Sequence, residues 1–176
     1  MLGIVTSREQ GIQMSKDGTN TADIVLEGGG VKGVGLVGAL EVFNEAGFSF
    51  ERVAGTSAGA IVGAAVAAGM PMGDLVEVMR TVDYKKFRDR GLLDKLPGGR
   101  LASLVFEGGI YEGDYLVEFL DELLGELGVS TFGDLRLPDD PDSTLPDDHR
   151  YKLVVCASDV SQKRLVRLPW DYASSY

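Results

Sequence analysis

Apolar positions along this chain follow two rhythms, short runs near the front and helical spacing further on. Residues 22–26 (ADIVL) form such a run, which predicts a buried parallel strand. Three glycines end it. Val34, Val37, Leu40 and Val42 then mark the apolar side of a helix to about Ala46, with Gly47 as its stop. A second short strand ends near Ala54 and leads through GTSAG into a helix of very small residues, 58–68. Pro71 suits the first turn of the next helix. Strand, helix, strand, helix in close succession is the pattern of a right-handed crossover in a parallel α/β sheet.

Residues 82–110 show no clear period. Beyond Asp114, Leu116, Phe119, Leu120, Leu123, Leu124 and Leu127 recur at helical spacing and predict an amphipathic helix. Its apolar stripe is read as core packing, with a lipid-tunnel wall as the alternative. Residues 138–148 hold three prolines and five aspartates and are expected to be a solvated loop. Residues 151–157 (YKLVVCA) predict a third strand. Residues 1–21 are polar and without period, so the expected organisation is a loose leader followed by one domain over 22–176.

Composition narrows the classes. With 176 residues, 44% hydrophobic and 25% charged, the chain has the make-up of a globular domain. A net charge of -10 argues against a nucleic-acid partner, which needs a basic face. A local basic patch can still meet a membrane surface. Cys156 is the single cysteine; beside Leu153, Val154 and Val155 it predicts a buried thiol in a reducing compartment. The N-terminus lacks the pattern of a signal peptide, and the longest apolar run, 60–70, falls short of the roughly 20 residues of a membrane span. The expectation is a cytoplasmic protein, with peripheral membrane contact left open.

Gly55-Thr56-Ser57-Ala58-Gly59 matches G-x-S-x-G. Between a strand and a helix, this pattern sets a serine on a strained bend with its hydroxyl exposed. The flanking glycines let neighbouring backbone approach, and the following helix aims its positive end at the site. The bland alternative is a glycine-rich helix start with Ser57 near the cap. A second motif favours the nucleophile. Gly28, Gly29, Gly30, Val31, Lys32 and Gly33 follow the first strand, and a loop of this kind offers unobstructed amides to a tetrahedral oxyanion. Gly29, Gly30 and Val31 are the candidate donors. Lys32 is read either as added positive charge or as a solvated first-turn lysine. Gly28-x-Gly30-x-x-Gly33 is also the dinucleotide fingerprint, but that fold places an acidic residue at the end of the second strand. Here the strand ends in Ala54-Gly55, with Glu51 at its start.

GGGVKG and GTSAG together resemble the patatin-like phospholipase family. The resemblance runs from residue 22 to about 168 and includes Gly109-Ile110-Tyr111, Thr131-Phe132-Gly133-Asp134-Leu135 and the strand from Val154 to Val160. It implies a three-layer α/β/α fold with a mainly parallel sheet, and lipid acyl hydrolysis of phospholipase or esterase type without cofactor or metal. It also implies a Ser–Asp dyad in which Ser57 is the nucleophile and residues 28–33 form the oxyanion loop. The family's aspartate lies in a D-G-G or D-G-A motif, and none follows Ser57. A C-terminally truncated chain is therefore expected, with the catalytic aspartate beyond it.

Other candidates rank lower. His149 sits among Asp147, Asp148 and Arg150 and reads as a surface histidine; Asp159, at a strand end, is a weak substitute base or a turn former. Residues 80–100, with Lys85, Lys86 and Arg88 among leucines, read as a solvated insertion or a mobile cover touching anionic lipid. The prolines among Asp139, Asp140, Asp142, Asp147 and Asp148 break calcium-site spacing, so no metal is expected. Three functions remain: a lipid acyl hydrolase, a non-catalytic lipid-binding or scaffolding module, and a nucleotide-binding protein. The sequence leaves the oligomeric state open.

Overall fold

The computed structural model describes residues 2–5, 20–29, 33–82 and 113–172. Strands β1 (Leu2–Val5), β2 (Asn20–Leu26), β3 (Phe48–Gly55), β4 (Leu153–Asp159) and β5 (Arg164–Leu168) form one sheet in chain order. The expected α/β class holds. β2, β3 and β4 run parallel, with Leu26 beside Gly55 and Gly55 beside Val155, while the edge strands β1 and β5 are antiparallel. Helices α1 (Gly33–Glu45) and α2 (Ala58–Ala67) make the two crossovers. Helix α3 (Met72–Thr81) follows, capped by Pro71, and α4 (Asp114–Gly125) comes later.

Because the parallel strands advance in one direction, right-handed crossovers place α1 and α2 on the same face. Burial agrees. In β2, Ala22, Ile24 and Leu26 are buried and alternate with Thr21, Asp23 and Val25, which are not. Ile24, Leu26, Val53 and Leu153 form one core with Val37 and Leu40 of α1, Val62 of α2, Leu75 and Met79 of α3 and Leu123 of α4. The small residues of α2 let it lie close: a Cβ on Gly63 would stand 2.8 Å from Val53 Cγ1. Among the described residues the opposite face carries no helix; there Arg52 Nε donates to Asp23 Oδ1 at 2.9 Å, and Val25 is 44% exposed.

Three local expectations change. The leader (1–21) is not wholly loose, because Leu2–Val5 pairs as an edge strand with β2. Strand β5 was not foreseen. Cys156 is half-exposed, because the core covers one face of the sheet and Cys156 points to the other. Residues 138–148 are mostly exposed, as expected of a solvated loop, and fold over one cation: the Arg150 guanidinium, in a residue 7% exposed, donates to the Pro138 carbonyl and faces Asp139 and Asp147 at 3.6 and 3.5 Å.

Candidate active site

Strand β3 ends at Gly55 and α2 begins at Ala58, so Thr56 and Ser57 alone make the bend between them. Ser57 takes φ 50, ψ -127, a left-handed backbone that costs a non-glycine residue on the order of 1–3 kcal/mol. Its hydroxyl makes no capping bond to the helix and the residue is exposed, so it is not an ordinary N-cap. The N-terminus of α2, with its partial positive charge, lies directly behind it.

The glycines on either side follow from backbone packed on backbone. A Cβ on Gly55 would stand 2.4 Å from the Gly59 carbonyl oxygen, and one on Gly59 would stand 2.3 Å from the Leu26 carbonyl oxygen. Only glycine fits at either point. The second contact presses α2 against the end of β2, where the glycine loop begins.

The two bends therefore meet. The Thr56 amide donates to the Leu26 carbonyl at 3.2 Å, and the Gly28 amide donates to Thr56 Oγ1 at 3.0 Å. A Cβ on Gly28 would lie 2.8 Å from Ser57 Cβ. Gly29 is exposed next to it, whereas Gly30, Val31 and Lys32 lie outside the described residues. Gly33 opens α1 and is buried; its Cβ would meet Met79 at 3.3 Å and Ala58 at 3.4 Å. Two glycines of the spacing shared with a dinucleotide loop have a steric reason here, Gly28 against Ser57 and Gly33 against Ala58. A recess of about 340 Å³ adjoins the bend, with Val25, Glu27, Ala54, Thr56 and Cys156 among its lining residues.

Strand β4 places the two candidate bases. Val155 pairs beside Gly55, and Asp159 follows further along β4, roughly 13 Å on at about 3.3 Å per residue. Its Oδ1 accepts the Gln162 amide at 2.9 Å, the turn-forming role, in the β4–β5 hairpin. His149 precedes β4, which runs parallel to β3, so it stands at the opposite end of the parallel strands from Ser57. There its ring lies 4.5 Å from that of Trp170, whose Nε1 donates to the His149 carbonyl at 3.2 Å.

Other charged groups have structural work. Amides of Ser130 and then Thr131, with the Thr131 hydroxyl, hold the Asp134 carboxyl below its ordinary range and close the short 3-10 turn Phe132–Leu135. The Arg167 guanidinium grips both oxygens of Asp171 at 3.0 and 2.8 Å, which brings that carboxyl down to about 2. Among the described residues no group of three or more His, Cys, Asp or Glu could hold a metal ion, and no helix is long and apolar enough to cross a membrane. Lys85, Lys86 and Arg88, the proposed lipid-facing charges, and Gly109-Ile110-Tyr111 fall outside the described residues. Sequence reasoning did not foresee the side-chain link from Thr56 to the glycine loop.

The family model for patatin-like phospholipase matches residues 24–165. The uncharacterized protein YqhO of Bacillus subtilis is 37% identical over 153 residues, which cover 86% of this chain and 48% of YqhO. An uncharacterized NTE family protein of Mycobacterium tuberculosis is 42% identical over 57 residues, 32% of this chain and 10% of that protein. The chain thus spans about half the length of YqhO, or less of the mycobacterial protein. Among solved structures, the type III effector protein ExoU aligns at 19% identity and TM-score 0.49, over 86% of this chain and 36% of ExoU. VipD from Legionella pneumophila aligns at 18% identity and TM-score 0.47, over 98% of this chain and 43% of VipD.

Proposed function

The chain belongs to the patatin-like phospholipase family, and from that footing we propose that Ser57 is the nucleophile of a lipid acyl hydrolase. Ser57 Oγ attacks the ester carbonyl while its proton passes to a base, and the carbonyl oxygen becomes an oxyanion. Collapse expels the alcohol with a proton and leaves acyl-Ser57; water then releases the fatty acid. Amides beyond Gly28, namely Gly29 with Gly30 and Val31, are the proposed oxyanion donors, and the adjoining positive end of α2 favours the developing charge.

One observation carries this reading. Ser57 holds a strained φ of 50 with no capping bond, while Gly28 packs against its Cβ. A serine serving only to start a helix gains nothing from that geometry. The base is proposed to be the family's aspartate, supplied by sequence beyond these 176 residues, since a serine without a base is a weak nucleophile. The test is labelling of a protein that includes a downstream D-G-G or D-G-A segment by a fluorophosphonate probe. Labelling that disappears in Ser57→Ala supports the proposal; a folded protein that stays unlabelled refutes it.

A second reading is supported by Asp159, whose Oδ1 bonds its own turn, and by His149, which precedes β4 at the opposite end of the parallel strands. Without the downstream aspartate, the same bend belongs to a non-catalytic lipid-binding module. Such a protein binds lipid vesicles and leaves the fluorophosphonate untouched.

A further inference from the structure

We infer that Thr56 is a positioning residue for the reaction proposed at Ser57: its hydroxyl oxygen latches the start of the glycine loop to the nucleophile bend. The inference rests on that reading of Ser57 and adds to it how the two bends are held in register.

Thr56 is tied to the chain leaving β2 at two points. Its amide donates to the Leu26 carbonyl at 3.2 Å, which continues the pairing of β2 with β3 by one step. Its Oγ1 accepts the Gly28 amide at 3.0 Å, beyond the reach of strand pairing. The first bond fixes Thr56 to the strand; the second fixes the loop to Thr56. As a β-branched residue Thr56 has few χ1 choices, so its oxygen is a fixed anchor.

Two consequences follow. The Gly28 amide is spent on Thr56 and cannot turn toward an oxyanion, so the loop's donors begin at Gly29. The latch also holds the described start of the loop, Gly28 and Gly29, against the bend. The absent Gly28 side chain leaves the loop backbone against Ser57, with a hypothetical Cβ only 2.8 Å from Ser57 Cβ, 3.1 Å from the Thr56 carbonyl oxygen and 3.2 Å from Oγ1. That packing stops the loop from moving closer, and the hydrogen bond stops it from moving away. Oxyanion donors act over about 2.7–3.1 Å, so an outward slip of a fraction of an ångström removes most of their benefit.

Thr56→Val keeps the shape and deletes the acceptor; Thr56→Ser keeps the acceptor. In the protein carrying the downstream aspartate, Thr56→Val should lower kcat and the fluorophosphonate labelling rate about tenfold to a hundredfold with KM unchanged. Thr56→Ser should recover to within about threefold of the parent, a rescue that packing alone does not predict. In this chain, Gly28 amide hydrogen exchange should be slowed in the parent and the Ser variant and fast in the Val variant. Equal rates in parent and Val variant, or equal losses in the Val and Ser variants, overturn the latch. If the Val variant also melts early, recovery in the Ser variant supports the latch and its absence overturns it. A parent that does not label at all fails differently, because it removes the Ser57 reading itself and the latch with it.

Discussion

Replacing Ser57 by glycine should leave a more stable protein than replacing it by alanine, the reverse of the order at an ordinary helical site. Both changes delete the hydroxyl, so their difference isolates the backbone. At φ 50, ψ -127 an alanine Cβ keeps the strain, on the order of 1–3 kcal/mol, whereas glycine has none. Against this, glycine loses more chain entropy on folding, roughly 0.5–1 kcal/mol. Ser57 is exposed, so no lost burial enters the comparison. The balance favours Ser57→Gly by about 1 kcal/mol. For a chain of this size that is about 2–4 °C in Tm, or about 0.5 M in urea midpoint at a slope near 2 kcal/mol/M. Gly35 is the control. It lies in α1, where an added Cβ meets nothing within 4 Å, so Gly35→Ala should stabilise by up to about 1 kcal/mol. If Ser57→Ala proved as stable as Ser57→Gly or more so, the strained bend, and with it the argument for a nucleophile, would be refuted.

Gly59→Ala should cost more than about 3 kcal/mol or prevent folding, because its Cβ meets the Leu26 carbonyl at 2.3 Å and backbone cannot yield as a side chain does; a normal melting curve would contradict the contact. Asp171 has a folded pKa of about 2, below the roughly 3.9 of an unfolded aspartate. Its stabilisation is therefore fully present above about pH 4 and fades as pH falls toward about 2. Asp171→Asn should flatten the decline in melting temperature across that window, and parallel curves for the two proteins would rule this out. Arg150→Ala should cost about 1–3 kcal/mol, since it strips the Pro138 carbonyl of a buried charged donor, and should expose residues 138–148 to limited proteolysis. An unchanged digestion pattern would show that the loop does not depend on Arg150. Its partners Asp139 and Asp147 are 97% and 88% exposed at the side chain, so Asp139→Asn should shift stability by under about 1 kcal/mol.

The parts of the fold that could be read in advance are those set by local sterics. ADIVL before three glycines and VAG before TSAG place two strand ends and two helix starts, and the structure puts β2, α1, β3 and α2 there. Gly47 at φ 81 ends α1 as expected. The misses depend on long-range pairing. Leu2–Val5 is too short to show a period, and it becomes a strand only because β2 offers an edge. Strand β5 follows a Val160-Ser161-Gln162-Lys163 turn without the usual glycine; Lys163 itself takes φ 53. Cys156 was misjudged because an unbroken apolar run implies cover on both faces, and the described helices cover one. The stripe of α4 is likewise only partly inside: Leu123 is buried, while Phe119 and Leu124 pack from half-exposed positions.

Why the bend at Ser57 was legible and a base for it was not follows from the kind of contact each requires. The bend at Ser57 is enforced by backbone meeting backbone, at Gly55 against Gly59 and at Gly59 against Leu26, and such contacts admit one residue type, which writes itself into the sequence as glycine. A base needs only a carboxylate delivered from any element whose end reaches the bend, so no fixed spacing announces it. Parallel pairing places the two weaker candidates: His149 precedes β4 while Ser57 follows β3, so they stand at opposite ends of the parallel strands, and Asp159 lies four residues past Val155 with its Oδ1 on the Gln162 amide. Ser57 itself holds strained backbone. It makes no cap bond that would reward its φ of 50, and glycine would occupy the same backbone at lower cost. What serine adds at that point is an exposed hydroxyl on a bend whose Cβ packs against Gly28, and attack on a carbonyl, as proposed above, is the chemistry that would use it.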